Sequence, residues 1–328
     1  MRLRRCPATV CPGPDPSGTL RASQVDRPQG STTALEEERS SGRCSCLRPC
    51  LGGQENPWTP APPTTTAAPT TTPTTPPAEA IVSLSATATE ILFAIGAGGQ
   101  VVAVDDQSTY PEGAPVTDLS GYTPNVEAIA GYDPDLVVIS YDPGDLVVGL
   151  EALGIEVLMQ GAAYAIDDTY AQIAELGGLT GHAGEAAALS ESIEAGLAEL
   201  AEGQPGAGLT YFHEVDATLY SATSTTFIGQ LYALLGLENI ADPADEEGWG
   251  YPQLSPEYVI DADPDLIFLA DAAWGESAGT VAARPGWDTM SAVQAGNVVP
   301  LGETAGRWGP RIVDFLADVR TAVDGMAG

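Results

Sequence analysis

Arg307 is one of only four arginines after residue 50, and it stands in "LGETAGRWGPRIVDF" (301–315), four residues after Glu303. A guanidinium favours planar, bidentate contacts, so Arg307 suits a phosphate, carboxylate or hydroxamate oxygen on a ligand. The competing reading is a local ion pair, with Glu303 and Arg307 closing their own loop. Tyrosine is the other residue type present in useful number. Tyr110, Tyr122 and Tyr141 lie in one half of the chain and Tyr220 and Tyr251 in the other, with Trp249 beside the last. A tyrosine joins a flat apolar body to a polar tip, which fits a large, partly polar ligand. Tyrosines also serve as plain surface or core packing, so the set carries more weight than any member.

His213 and Glu214, in "YFHEVD", come nearest to a metal-ligand pair. Adjacent strand residues point to opposite faces, so both enter one cleft only if the strand has ended there. The other histidine, His182, sits in a loop before a long helix. Two histidines are too few for a three-histidine site, so a bare metal ion is the minority reading. No resident cofactor is expected. The chain has no Gly-x-Ser-x-Gly elbow and no convincingly spaced Ser/His/Asp set. It also lacks a Gly-x-Gly-x-x-Gly fingerprint and a phosphate-binding loop. These absences favour a binding protein over an enzyme, with a stalked surface adhesin as the other class.

Charge narrows the partners. The chain has no lysine, and eight of its twelve arginines fall in the first 50 residues. From residue 51 onward, 40 acidic side chains face four arginines, a net charge of −36. Such a surface repels phosphate backbones and argues against nucleic acid. It is also the surface of a protein from a salty environment, and it leaves some attraction for cationic ligands.

The elements that must position these residues begin at residue 80. "IVSL" (81–84), "VVAV" (101–104), "LVVIS" (136–140) and "EVLM" (156–159) read as buried strands alternating with helical stretches. Thr87 and Glu90 fit a capping box opening a helix that runs to Ile95 and stops at Gly96. From Ala183 to Ala201, apolar residues at 186, 189, 193, 197 and 200 mark one amphipathic helix, about 30 Å long at 1.5 Å per residue. Strands resume at "LTYF" (209–212), "LIFL" (266–269) and "NVVPL" (297–301), with helices near 226–236, 256–261 and 311–326. The expected fold class is α/β: two lobes with mostly parallel sheets, joined by one long rigid helix. A phrase repeated between the lobes supports that division. "TPNVEAIAGYDPDLVVIS" (123–140) echoes in "SPEYVIDADPDLIFLA" (255–270), each a short helix bearing one glutamate, Glu127 or Glu257, that leads into a strand.

The expected boundaries are a doubtful segment at 1–50, a linker at 51–79, an N-terminal lobe at 80–165, a connecting helical region at 166–207 and a C-terminal lobe at 208–328. "PWTPAPPTTTAAPTTTPTTPP" (57–77) is almost wholly Pro, Thr and Ala, with little apolar surface to bury and a stiff backbone, so it reads as a linker or stalk. All five cysteines lie in the first 50 residues, which contain no apolar run of signal-peptide type. Cys44, Cys46 and Cys50 lack a second pair of ligands for a tetrahedral site. "LRPC" (47–50) has the outline of a lipoprotein cleavage site, although Arg48 and Pro49 replace small residues. A disordered tail is one reading; the preferred one is a misassigned start or frame standing in for a lipoprotein signal. The longest charge-free apolar run, Ile91–Val104, is too short to span a bilayer.

"IVSLSATATEILFAIGAGGQVVAV", "YPEGAPVTDLSGYTPNVEAIAGYDPDLVV", "TFIGQLYALLGLENIA", "RPGWDTMSAVQAGNVV" and "PRIVDF" follow one another in order. The run over residues 80–326 resembles bacterial solute-binding proteins whose lobes are joined by a single rigid helix. These serve ABC importers for vitamin B12, ferric siderophores and haem. The resemblance implies an extracytoplasmic monomer, periplasmic or held as a membrane-anchored lipoprotein, that passes a ferric chelate or corrinoid to a membrane permease. It also implies that Glu127 and Glu257 match the glutamate at each lobe tip that pairs with permease arginines. The other reading of this pair is two first-turn glutamates favoured by the helix dipole. Tyr122, Tyr141 and Tyr251 match pocket-lining aromatics of the vitamin B12 binders, which carry tryptophan there. Glu303 and Arg307 match an acid and an arginine that touch ligand.

Overall fold

The computed structural model describes residues 76–326, all within one compact unit, Pro69–Gly328. The expectations for residues 1–50 and most of the 51–79 linker lie outside the described residues.

The first lobe is built on four short strands, β1 (Ile81–Leu84), β2 (Val101–Val104), β3 (Leu136–Ile139) and β4 (Glu156–Met159). They form one parallel sheet in the order β2-β1-β3-β4. Between them run α1 (Ala86–Ala94), α2 (Val126–Ala130) and α3 (Leu146–Glu151). Two helices follow, α4 (Ile166–Thr180) and α5 (Ala183–Ala201). The second lobe carries β5 (Thr210–Glu214), α6 (Phe227–Leu234), β6 (Glu238–Asn239), α7 (Pro256–Ala262), β7 (Leu266–Leu269), α8 (Ala278–Ala282), α9 (Ser291–Ala295) and β8 (Val298–Pro300). Its sheet is again parallel, in the equivalent order β6-β5-β7-β8. α10 (Ile312–Met326) closes the chain. The two-lobed α/β architecture expected from the strand–helix rhythm is the architecture found.

α5 occupies the residues its apolar spacing marks, about 28 Å at 1.5 Å per residue. It does not link the lobes alone. α4 packs along it, and the hairpin between them depends on two glycines. A side chain at Gly177 would sit 2.4 Å from the Ala186 Cβ, and Gly181 closes α4 at φ 78. The first needs glycine for the close approach and the second for the left-handed turn.

Strand alternation divides the core into three. Ile81, Leu136 and Val138 face one way, while Val82, Val137 and Ile139 face the other into a core private to the first lobe. In the second lobe, Phe212, Ile267 and Leu269 line the private face. Tyr211, Leu266 and Phe268 join Ile81 and its neighbours in a cluster that also includes Ile193 and Leu197 of α5 and Phe315 and Val319 of α10. Period-2 alternation therefore directs one face of each sheet into a single apolar body shared by both lobes.

The repeated phrase is a structural joint. Asp133 and Asp263 each take a left-handed conformation, φ 52 and φ 43, at the end of α2 and α7. The proline after each keeps the helix from continuing. Asp135 then accepts hydrogen bonds from the Glu79 and Ala80 amides, at 2.8 and 3.1 Å. Asp265 accepts from the amide and hydroxyl of Thr210, at 2.8 and 3.0 Å. Each second aspartate thus ties the start of its own strand to the start of the neighbouring one. Counted back from these aspartates the caps fall at the same position, Asn125 for α2 and Ser255 for α7, so Glu127 and Glu257 both fall at the second helical residue.

One expectation fails at α1. Its N-cap is Ser85, whose hydroxyl accepts from the Ala88 amide, and Thr87 lies inside the helix. Glu90 is no cap partner, because it is buried and bonded to Arg311.

Candidate functional site

Parallel strands bring all their C-terminal ends to one edge, and the loops leaving that edge are where open α/β sheets hold ligands. The expected aromatics lie on those loops. Tyr110 and Tyr122 follow β2 and Tyr141 follows β3, while Tyr220 follows β5 and Trp249 and Tyr251 follow β6. All six are exposed. Tyr122 and Tyr141 form a tilted pair, ring centroids 6.2 Å apart. Tyr220 bridges to Gln253, and the Trp249 amide is held by Asp245 at 3.0 Å. Two further aromatics share this edge and escaped the sequence reading: Tyr164 after β4, 84% exposed, and Trp274 after β7, 83% exposed. Tyr164 belongs to the first lobe, yet its carbonyl accepts from Gln230 on α6 of the second. The Tyr251 hydroxyl is raised by burial first and by the neighbouring Tyr164 second.

The segment between β8 and α10 crosses back to the first lobe. Arg311 donates to Glu90 Oε1 at 2.5 Å and to Glu303 Oε1 at 2.9 Å, and its guanidinium stacks 4.1 Å over the Tyr110 ring. Its two carboxylate partners raise its already high pKa further, against the opposing effect of burial. The Trp308 indole donates to Gln172 Oε1 at 3.0 Å, and the Trp308 carbonyl accepts from Thr169 at 2.8 Å. Glu303 therefore pairs with Arg311, and the local Glu303–Arg307 pair does not form. Arg307 approaches only Glu90, Nε to Oε1 at 3.7 Å, and no hydrogen bond to protein engages its Nε. Tyr110 and Glu303 thus gather on Arg311, and Arg307 approaches the buried Glu90 that Arg311 holds. Neither Glu90 nor Arg311 was read as a site residue. The one available signal was Arg311 repeating the arginine four residues after Arg307.

His213 and Glu214 are strand residues, and they part as alternation requires. His213 faces α6, its Nδ1 3.0 Å from the Tyr232 hydroxyl, and burial lowers its pKa to about 4. Glu214 is engaged by Arg284, at 2.6 and 2.5 Å. The two cannot meet on one ion. Glu127 and Glu257 are exposed at the start of α2 and α7.

Comparison with known proteins agrees with this architecture. A family described as periplasmic binding protein matches residues 81–305. A cobalamin-binding protein of Halobacterium salinarum is 32% identical over 257 residues, 74% of this chain and 69% of that protein. An uncharacterized ABC transporter substrate-binding lipoprotein of Bacillus subtilis, YvrC, is 29% identical, covering 74% of this chain and 79% of its own length. Among solved structures, the periplasmic heme-binding protein RhuT of Roseiflexus sp. RS-1 superposes with a TM-score of 0.66 at 24% identity, over 76% of this chain and 99% of that one, a likeness of fold. With the family match spanning more than two thirds of the sequence, this chain belongs to the periplasmic binding proteins and is a solute-binding component of an ABC importer.

Proposed function

We propose that the cleft captures a corrinoid and delivers it to a membrane permease, without enzymatic turnover. The observation that carries this reading is the exposed aromatic edge: Tyr122, Tyr141, Tyr164, Tyr220, Trp249, Tyr251 and Trp274 stand on loops at the C-terminal ends of both sheets. Flat, part-polar rings suit a macrocycle with amide-bearing edges. Arg307, whose Nε approaches Glu90 and whose side chain remains partly exposed, is the cation this reading assigns to the ligand. The Halobacterium relative, named for cobalamin, supports corrinoid over haem or ferric siderophore. The shared core and the Arg311–Glu90 bond favour a largely preformed site, in which affinity comes from preorganisation.

Glu127 and Glu257, one per lobe at equivalent helix positions, serve in this reading as the permease contacts. Each is worth little alone at a wet surface, and together they set register. In this reading the domain works outside the cytoplasm, as a lipoprotein or in the periplasm, and the Pro/Thr-rich composition of 57–77 is in keeping with that. Titration with cyanocobalamin, a ferric hydroxamate, a ferric catecholate, haemin and zinc, followed by tryptophan fluorescence, tests the ligand. Tight binding of cyanocobalamin that weakens at least tenfold in Arg307→Ala is the expected result. Binding of zinc alone would overturn the reading.

A further inference from the structure

The carboxyl ends of β5 and β7 gather four charged side chains, and their pairing is unequal. Arg284 donates to both oxygens of Glu214 and, at 2.7 Å, to Glu276. Its guanidinium also lies 4.6 Å over the Trp287 ring. Glu276 receives a second bond from the Thr280 hydroxyl at 2.7 Å. The one cation of the group is fully committed, and Asp271 is left out. Asp271 is only 3% exposed, yet neither carboxylate oxygen has a hydrogen-bond partner.

A second orphan stands at the same strand end. Ser221 is fully buried and its Oγ has no partner. It bridges to Glu214 on one side of β5, while β7, which leads into Asp271, lies on the other. Burial, and then the charge of Glu214, push the Asp271 carboxyl up to about 6, so at neutral pH it is still mostly ionised. A buried ionised carboxylate without a partner is costly, and native structures resolve such cases with water or an ion.

We propose that Asp271 holds a monovalent cation, sodium or potassium, completed by neutral oxygens at the carboxyl ends of β5 and β7. The charge count selects the valence. Glu214 is consumed by Arg284, leaving one free carboxylate. No three His, Cys, Asp or Glu side chains among the described residues converge to hold a metal ion. Calcium and zinc sites draw on several charged ligands, whereas one carboxylate and neutral oxygens match a single positive charge.

The test must separate specific binding from screening, since any salt relieves self-repulsion on so acidic a surface. Melting temperature is measured in sodium, potassium and choline chloride at equal ionic strength, for the wild type and Asp271→Asn. At a cation concentration tenfold above its Kd, binding raises the melting temperature by about 3–6 °C over choline. That difference disappears in Asp271→Asn. Equal melting in all three salts would overturn the proposal, as would a cation effect that survives the substitution. A larger shift from micromolar calcium would refute the monovalent assignment. Crystals grown in rubidium chloride give an independent readout: an anomalous peak in contact with Asp271, where its absence counts against the site.

Discussion

Replacing Arg311 with alanine tests whether the two lobes are tied electrostatically at the cleft floor. Glu90 has a side chain only 2% exposed, and Arg311, at 13%, is the nearer of its two cations. Arg307 stands off at 3.7 Å. Removing one partner of a buried pair costs about 3–5 kcal/mol, because the other charge stays desolvated. Arg307 shields Glu90 in part and Glu303 is half exposed, so the lower end applies, about 3 kcal/mol. For a domain of this size each kcal/mol corresponds to about 2–4 °C, giving a drop of roughly 6–12 °C in melting temperature. The double substitution Glu90→Leu, Arg311→Met should recover most of the loss, since it leaves no unpaired charge. Asp324→Ala, which breaks only the i,i+4 pair with Arg320, is the control and should cost about 0.3–0.5 kcal/mol. Calorimetry on the wild type and these three variants reads the loss and its recovery; adding the single substitutions Glu90→Leu and Arg311→Met completes the cycle that gives the coupling energy. An Arg311→Ala protein that melts with the control, or a double variant no better than the single, would refute the reasoning.

Acid should weaken the fold through His213. Its folded pKa, lowered by burial to about 4 from an ordinary 6.5, means the unfolded chain binds the extra proton first. Its contribution is complete above pH 6.5 and is lost as pH falls toward 4, by roughly 3 kcal/mol in all. Asp271 works in the opposite sense, relieving a penalty as pH drops through about 6, so His213→Gln should flatten the acid limb of denaturant midpoints and Asp271→Asn should steepen it. Replacing both Glu127 and Glu257 with alanine should leave ligand affinity within a few fold and abolish permease-stimulated uptake; a large affinity loss in the isolated protein would place them in the cleft instead. A chain starting at residue 76 has no cysteine, so its melting temperature should be unchanged by reductant, and failure to fold would move the domain boundary.

Much of the fold is written locally. Short runs of four residues name β1, β2, β4 and β7 to the residue, although β4, expected to be buried, is an edge strand with no buried residue, and the spacing of Ala186, Ile193 and Leu197 marks α5. What escaped was decided across the chain. Ser85 and Thr87 are both hydroxyl residues that can cap a helix, and the choice between them turns on Glu90, which is claimed by an arginine 221 residues away. The same distance hides the cleft floor, because no local pattern marks Glu90 and Arg311 as partners. α8 and α9 are five residues each, too short for helical periodicity to register. The aromatic edge was half legible. Tyrosines placed after strands could be read, whereas Tyr164 and Trp274 needed the strands' shared polarity to bring their loops to one edge.

The apolar body common to both sheets makes the lobes thermodynamically inseparable. A fragment ending at α4 would leave Ile81, Leu92 and Val138 without the Ile193, Leu197 and Phe315 that complete their cluster. Neither half is then a free-standing module, despite equivalent strand order. Unfolding should be one cooperative event, with a van't Hoff enthalpy matching the calorimetric one. Grafting a lobe from a relative would require rebuilding the buried faces of α5 and α10 with it, so changes of specificity are easier to reach through the loops at the strand ends than by exchanging whole lobes.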